Sequence, residues 1–225
     1  MNDQILYEQF VVLCRQNDVA RVRAFIKHNP DLNIHDHYDQ AICRAADAGA
    51  FEVVKYLAEE EGFDVHTMGE QALRYATYEG HTKIVKYLVE KHNADPRTWN
   101  EYALCFAARN GYVDLVKYLI EDRGMSIECD QYSLLVVAVH GKSREITRYL
   151  LQKGTSEESV NSVVRDVGCR QFYEEICAEI KTEQDEHEQM QKRDVFNRNV
   201  KCLSKHSAAP LKRRPKKDLD KGRKR

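Results

Sequence analysis

Long apolar stretches are missing from this chain. Across 225 residues the longest unbroken apolar run is Leu134–Val139, far short of the roughly 20 residues that a membrane-spanning helix requires. No membrane insertion is expected. The opening MNDQILYEQF holds two acidic residues and no Lys or Arg. It lacks the basic region and small-residue cleavage site of a secretory leader, so the expected location is intracellular, nucleus or cytoplasm. The seven cysteines are an odd set with no CxxC pair, which argues against a disulfide framework and a zinc ribbon and points to reduced, partly buried thiols. Neither GxSxG nor HExxH occurs, and with them go two familiar hydrolase constellations. Net charge is also nearly absent, at −1. That balance hides an asymmetry: residues 205–225 hold ten Lys/Arg and two Asp, a charge of +8, and the remaining 25 basic and 34 acidic residues leave −9 on 1–204.

What the chain does have is an internal period. AGAFEVVKYL (48–57), EGHTKIVKYL (79–88) and NGYVDLVKYL (110–119) superpose at a spacing of 31, and GKSREITRYL (141–150) continues the series. Gly49, Gly80 and Gly111 share one column; Tyr56, Tyr87, Tyr118 and Tyr149 share another; Leu57, Leu88, Leu119 and Leu150 a third. Upstream stand Ala45, Ala76, Ala107 and Ala138. A degenerate copy, CRQNDVARVRAFI, sets Val22, Phe25 and Ile26 in register with Val53, Tyr56 and Leu57, making five units up to about residue 155.

Within each unit, apolar residues recur at helical intervals twice, as in Ile42, Ala45 and Ala46, then Val53, Val54 and Leu57. Two short antiparallel helices per unit follow, with the glycine at the reversal and the alanines allowing first helices to approach closely. LLVVAV alone reads as a strand, but its register matches the first helix of earlier units, and the period overrides local propensity. A unit this small cannot bury its apolar face alone, so neighbours must stack. The expected fold class is all-α, a helical-repeat solenoid.

These residues resemble the ankyrin repeats. QALRYATYEGHTKIVKYLVEKHNAD (71–95) and YALCFAARNGYVDLVKYLIEDRG (102–124) follow that family's ALxxAAxxGHxxVVKYLxExGAD pattern, and the likeness covers roughly 38–154. The family's TPLH opening is replaced by QAIC, QALR, YALC and SLLV, and a period of 31 rather than 33 implies stubby connectors. Lys142 occupies the glycine column with Gly141 one place early, which suggests an altered turn there. Short KYL-rich arrays of this style also look like those encoded by giant DNA viruses of amoebae.

Five segments are expected: a degenerate N-terminal capping repeat (1–37), the repeats (38–154), C-terminal capping helices (155–182), a charged helical extension (183–204) and a disordered basic tail (205–225). Caps at both ends imply a monomer.

The resemblance implies a non-catalytic module that binds a protein partner through its concave face, with no cofactor. Candidate contacts are residues that the repeat does not require: Tyr38, Asp39, Asp47, Glu70, Tyr78, Glu79, His81, Trp99, Asn100, Glu101, Arg109, Asn110, Tyr112, Tyr132 and His140. Aromatics mixed with acids suit a protein-binding patch. The lone tryptophan, Trp99, is the favoured anchor, its alternative being packing of the connector. The Tyr column reads as an aromatic ladder or, with better reason, as packing between repeats. His35 and His37 have the spacing of two metal ligands, yet no Cys or His cluster joins them and solvated loop residues are favoured, so no metal is expected. The GKS at 141–143 lacks the first glycine of a phosphate loop, Val136 standing in its place. An LP-type start to a ligase-recruiting motif is not evident between 156 and 203, and the C-terminal 50 residues are too polar to build an enzyme's pocket. In the tail, Lys212, Arg213, Arg214, Lys216 and Lys217 form one basic cluster and Arg223, Lys224 and Arg225 close another. They resemble a nuclear localisation signal, implying an import receptor as partner. A nucleic-acid contact through counterion release is the alternative, the tail then supplying the affinity.

Overall fold

Eleven helices follow one another through the described parts of the chain, and the first ten run as consecutive antiparallel pairs. These are α1 (Asp3–Cys14) and α2 (Val19–His28), α3 (Asp36–Asp47) and α4 (Phe51–Glu59), and α5 (Thr67–Tyr78) and α6 (Thr82–His92). Then come α7 (Tyr102–Asn110) with α8 (Val113–Lys117), which runs on into a π-helical turn Tyr118–Asp122, and α9 (Leu134–His140) with α10 (Arg144–Gln152). The last helix, α11, is Val167–Ser207. The computed structural model describes residues 3–98, 102–127, 133–155 and 166–207, with the backbone alone at 102, 196 and 198–207. Among them no strand occurs, and LLVVAV is helix α9, as its register requires.

Two compact units divide the chain, Met1–Cys177 and Ala178–Arg225. In the first, the odd-numbered helices α1 to α9 pack successively in one row, and α2 on α4, α4 on α6 and α8 on α10 form a second. The alanine column sets the spacing of the first row: Ala45, Ala76, Ala107 and Ala138 are fully buried where one inner helix crosses the next. Between the rows lie Leu57, Leu88, Leu119 and Leu150, also fully buried, each contributing roughly 1.5–3 kcal/mol. Cys169, Tyr173 and Ile176, from the start of α11, are buried in this unit, and Arg144 reaches Glu175 at 3.7 Å. Cys14 and Cys43 lie fully in the core, where burial pushes their thiols up to about 12.

The glycine column serves two purposes. Gly49, Gly80 and Gly111 have φ of 73°, 77° and 80°, the left-handed region that costs other residues about 1–2 kcal/mol. Onto two of them the next unit lays a ring: a Cβ on Gly49 would stand 2.6 Å from the His81 imidazole, and one on Gly80 2.7 Å from the Tyr112 ring. The turn expected to change at 141–142 keeps the same backbone, with Lys142 itself at φ 53°. Gly141 stands one place early for a different reason: a Cβ there would fall on the Arg109 carbonyl. In the first unit the same turn is made by Asn17 at φ 55°, two residues before α2 as Gly49 is two before α4. The first copy is therefore offset by 32 residues, one more than the apolar residues alone imply. Asn17 also accepts from the Glu52 backbone N–H at 2.9 Å, tying the first unit to the second.

The tyrosine column packs between units. Tyr56, Tyr87 and Tyr118 are buried, and the hydroxyls of Tyr87 and Tyr149 donate to Glu59 (3.1 Å) and Glu121 (3.0 Å) of the preceding unit. Glu59 and Glu121 stand two periods apart, a second column matched to the first.

Successive units are joined by an unusual device. His37, Tyr38 and Asp39 all take left-handed φ (53°, 57°, 56°), and Met68, Gly69 and Glu70 repeat this one unit later (51°, 66°, 63°). Local hydrogen bonds offset the strain. His35 Nδ1 lies 2.7 Å from Asp39 Oδ1, the Asp64 N–H donates to Asp39 Oδ2 at 3.0 Å, and Thr67 Oγ1 donates to the Tyr38 carbonyl at 2.8 Å. His66 Nδ1 likewise meets Glu70 Oε1 at 2.7 Å.

In the second unit, residues 178–207 are helical backbone, continuous across the division expected at 182/183. Apart from half-buried Ile180, its described side chains are exposed and mostly polar or charged, with local pairs such as Lys192 to Glu188 at 2.7 Å. Such a helix is held by its own surface pairs.

Candidate inner-face binding site

Helix α5 turns its apolar stripe into the core through Ala72, Leu73 and Ala76, which leaves Arg74, Tyr75 and Tyr78 toward its open side. One period later, α7 presents Phe106 in the column of Tyr75. Tyr78 is 50% and Phe106 37% exposed, and their rings meet edge to face with centroids 5.2 Å apart. Beside them opens a cavity of about 490 Å3, within the range of ligand pockets. Its apolar lining is Leu73, Tyr75, Tyr78, Ala103 and Phe106, with Pro96 from the connector.

Four acidic residues, Asp47, Glu70, Glu79 and Asp95, also belong to the lining, with Arg74 as the one cation among the described lining residues. Glu70 is only 9% exposed. One of its oxygens is held by His66, and the other, Oε2, is buried with no hydrogen-bond partner. The Glu70 contact raises the His66 imidazole above its ordinary value, against the opposing effect of partial burial. Asp47 is drawn toward Arg15, 3.5 Å away, and the Tyr75 ring carries two guanidinium groups, Arg44 at 5.7 Å and Arg74 at 5.6 Å. The arrangement joins exposed aromatic area to charged groups of both signs, a combination suited to contact with a polypeptide segment.

Of the residues singled out from sequence, Asp47, Glu70, Tyr78 and Glu79 gather at this cavity. Others stand elsewhere. Tyr38 is 79% exposed on the first left-handed connector, where Asp39 is occupied by His35 and the Asp64 N–H. His81 and Tyr112 lie on the glycines of the preceding unit, and His81 Nε2 also meets the Asp47 carbonyl at 3.0 Å. Asn110 donates to the Tyr78 carbonyl at 3.5 Å, His140 Nδ1 meets the Val136 carbonyl at 2.9 Å, and Arg109 is exposed at the end of α7. His35 is engaged with Asp39, while the His37 ring lies 4.9 Å from that of Tyr7. Trp99, Asn100, Glu101, Tyr132 and the basic tail from Lys212 to Arg225 lie outside the described residues.

Sequence reasoning passed over Tyr75 and Phe106, which read as part of the apolar helix pattern. The signal was available: their column holds Arg44, Tyr75, Phe106 and Val137, varying freely one place before the fixed alanines. A position that changes character in every unit is not one the stack needs.

Among the described residues no helix is long and apolar enough to cross a membrane. The family model of ankyrin repeats, in three copies, matches residues 10–99 and again 92–161. No curated protein matches the chain. Ankyrin repeats are generally protein-interaction modules, and the helix pairs, the turn glycines and the matched length agree: the chain belongs to the ankyrin-repeat family.

Proposed function

We propose that this protein is a non-catalytic binding module that grips a protein partner with the exposed side of its inner helices, centred on the cavity between α5 and α7. The observation that carries this reading is the exposed Tyr78–Phe106 pair, two large aromatics that the repeat does not require, beside an apolar cavity whose lining includes four acidic residues. Aromatics that seat a partner in this way are the residues that dominate interface energetics, at about 2 kcal/mol or more each. The +8 tail acts as an address, directing the chain to the nucleus through Lys212–Lys217 and Arg223–Arg225.

Proximity labelling in cells tests both parts, comparing the full chain, a Tyr78→Ala/Phe106→Ala variant and a chain ending at Lys205. The expected result is loss of specific partners in the double variant, and retention of the partners with movement to the cytoplasm in the shortened chain. A second reading rests on the charge of the tail, which suits nucleic acid. It is favoured instead if shortening abolishes labelling of mainly nucleic-acid proteins while the double variant changes nothing.

A further inference from the structure

The helix stack is covered at one end and open at the other. At its C-terminal end, Tyr173 and Ile176 of α11 are buried, and Arg144 of the last helix pair lies over the Phe172 ring, 5.8 Å from its centroid. At its N-terminal end, α1 and α2 leave a groove lined by Ile5, Val12, Leu13 and Phe25, with Glu8 and Gln9 beside them. Ile5 is 48% and Val12 55% exposed. This groove belongs to the surface by which later units stack. With the offset of 32 that Asn17 sets, Gln9, Leu13 and Phe25 stand in the columns of Ala41, Ala45 and Leu57. Those three are fully buried, whereas Gln9 is exposed and Leu13 and Phe25 are half-buried. What the second unit has and the first lacks is a preceding helix pair. Terminal units ordinarily turn a polar face outward, but this one keeps four apolar residues there.

We propose that this end face docks on the same face of a second copy of the chain, α1 of each copy lying against α2 of the other around a two-fold axis. Charge selects a like partner. Glu8 stands on the α1 side of the groove. Arg21, one helical turn before Phe25 and in the column of the fully buried Val53, stands on the α2 side. Their side chains meet neutral groups within the chain: Glu8 accepts from Gln4 at 3.5 Å, and Arg21 donates to Gln16 at 3.1 Å. A two-fold turn brings the Glu8 side of each copy to the Arg21 side of the other, so the face complements itself in charge as well as in apolar area. Because α11 covers the far end, copies cannot add head to tail, and association stops at two. The monomer that two caps imply gives way to a pair whose outer ends are both capped.

Sedimentation velocity of the full chain between about 1 and 100 μM, the range of modest affinities, is the test. A reversible monomer–dimer equilibrium is expected. Val12→Glu sets a charge where the single chain is already exposed, and is expected to weaken dimerisation at least about tenfold while the helical circular-dichroism signal stays unchanged. Glu8→Arg and Arg21→Glu are each expected to weaken it about tenfold, since each sets like charges together twice. Mixing those two variants in equal amounts is expected to restore a dimer holding one copy of each. Misfolded variants cannot produce that restoration, so the charge pair decides the matter even if Val12→Glu fails to fold. A chain that stays monomeric throughout the range, a dimer undiminished by Val12→Glu, or a mixture that dimerises no better than its components overturns the proposal. A benzophenone amino acid at position 12 separates the occupants in cells: the expected crosslink is to the chain itself, and crosslinks to other proteins alone overturn the pairing.

Discussion

Replacing Gly80 by alanine is expected to cost about 2–3 kcal/mol, and the reason can be separated into parts. Gly80 sits at φ 77° with the Tyr112 ring 2.7 Å from where a Cβ would be. The left-handed backbone costs alanine about 1–2 kcal/mol, and overpacking adds about 1 kcal/mol, at the low end because a half-buried ring can swing aside. Gly111 isolates the first part: its φ is 80°, but the nearest atom to a Cβ is Ser143 Oγ at an ordinary 3.5 Å. Gly111→Ala is thus expected to cost only about 1–2 kcal/mol. Gly141 isolates the second, since it is outside the positive-φ region and a Cβ would strike the Arg109 carbonyl. Backbone cannot swing, so Gly141→Ala is expected to cost about 3 kcal/mol. Lys142→Gly relieves a left-handed lysine and is expected to stabilise, by about 1 kcal/mol after the added freedom of the unfolded chain is subtracted. Urea denaturation followed by circular dichroism measures all four. Equal losses for Gly80→Ala and Gly111→Ala would refute the stacking argument, as would a Gly80→Ala cost that persists undiminished in a Tyr112→Ala background.

Three further outcomes follow. Burial, with lesser contributions from neighbouring groups such as Glu90 and Glu121, pushes the hydroxyls of Tyr118 and Tyr149 up to about 12, and burial does the same at Tyr7. Unfolded tyrosine titrates at 10.0, so their contribution is fully present below pH 10 and lost as pH rises toward 12. The urea midpoint should fall across that window; a flat profile contradicts the ladder. The His66 imidazole, raised above 6.5 by Glu70, should show an NMR titration midpoint above that value which drops in Glu70→Gln. Its pairing contributes fully below pH 6.5 and is lost as pH rises through the folded midpoint. Cys14 and Cys43, fully buried with thiols held protonated, should resist a thiol reagent in the native chain and react once urea unfolds it; immediate modification of either would contradict the core assignment.

The array was legible because its columns answer to one requirement each. Alanine permits close approach, leucine fills between rows, glycine turns the chain, and a spacing of 31 kept across four copies exposes all three. Two details escaped because a single column was made to stand for two requirements. At 141–142, room for the Arg109 carbonyl and a left-handed turn fall on adjacent residues, so the glycine and the turn separate. In the first unit, Asn17 makes the turn without being glycine, which shifts the register by one. The left-handed connectors were illegible for a stronger reason: of the six residues at 37–39 and 68–70, only Gly69 takes such backbone free of a Cβ clash. What holds the others is His35 to Asp39 within one connector, together with Asp64 to Asp39 and Thr67 to Tyr38, contacts between connectors that exist only once neighbouring units have docked. The cavity was half legible. Its acids and Tyr78 stood out as residues the repeat does not need, whereas Phe106 was hidden inside an apolar helix pattern, and the orphaned Glu70 oxygen is a property of packing alone.

Site-directed photocrosslinking in cells tests the central claim most directly. A benzophenone amino acid is placed either at Tyr78, on the inner face beside the cavity, or at Lys55, exposed on outer helix α4, and crosslinked products are identified by mass spectrometry. The expected result is a discrete protein adduct from position 78, absent from position 55 and lost when Phe106→Ala is added. Adducts from position 55 with none from position 78 would contradict an inner-face binding module.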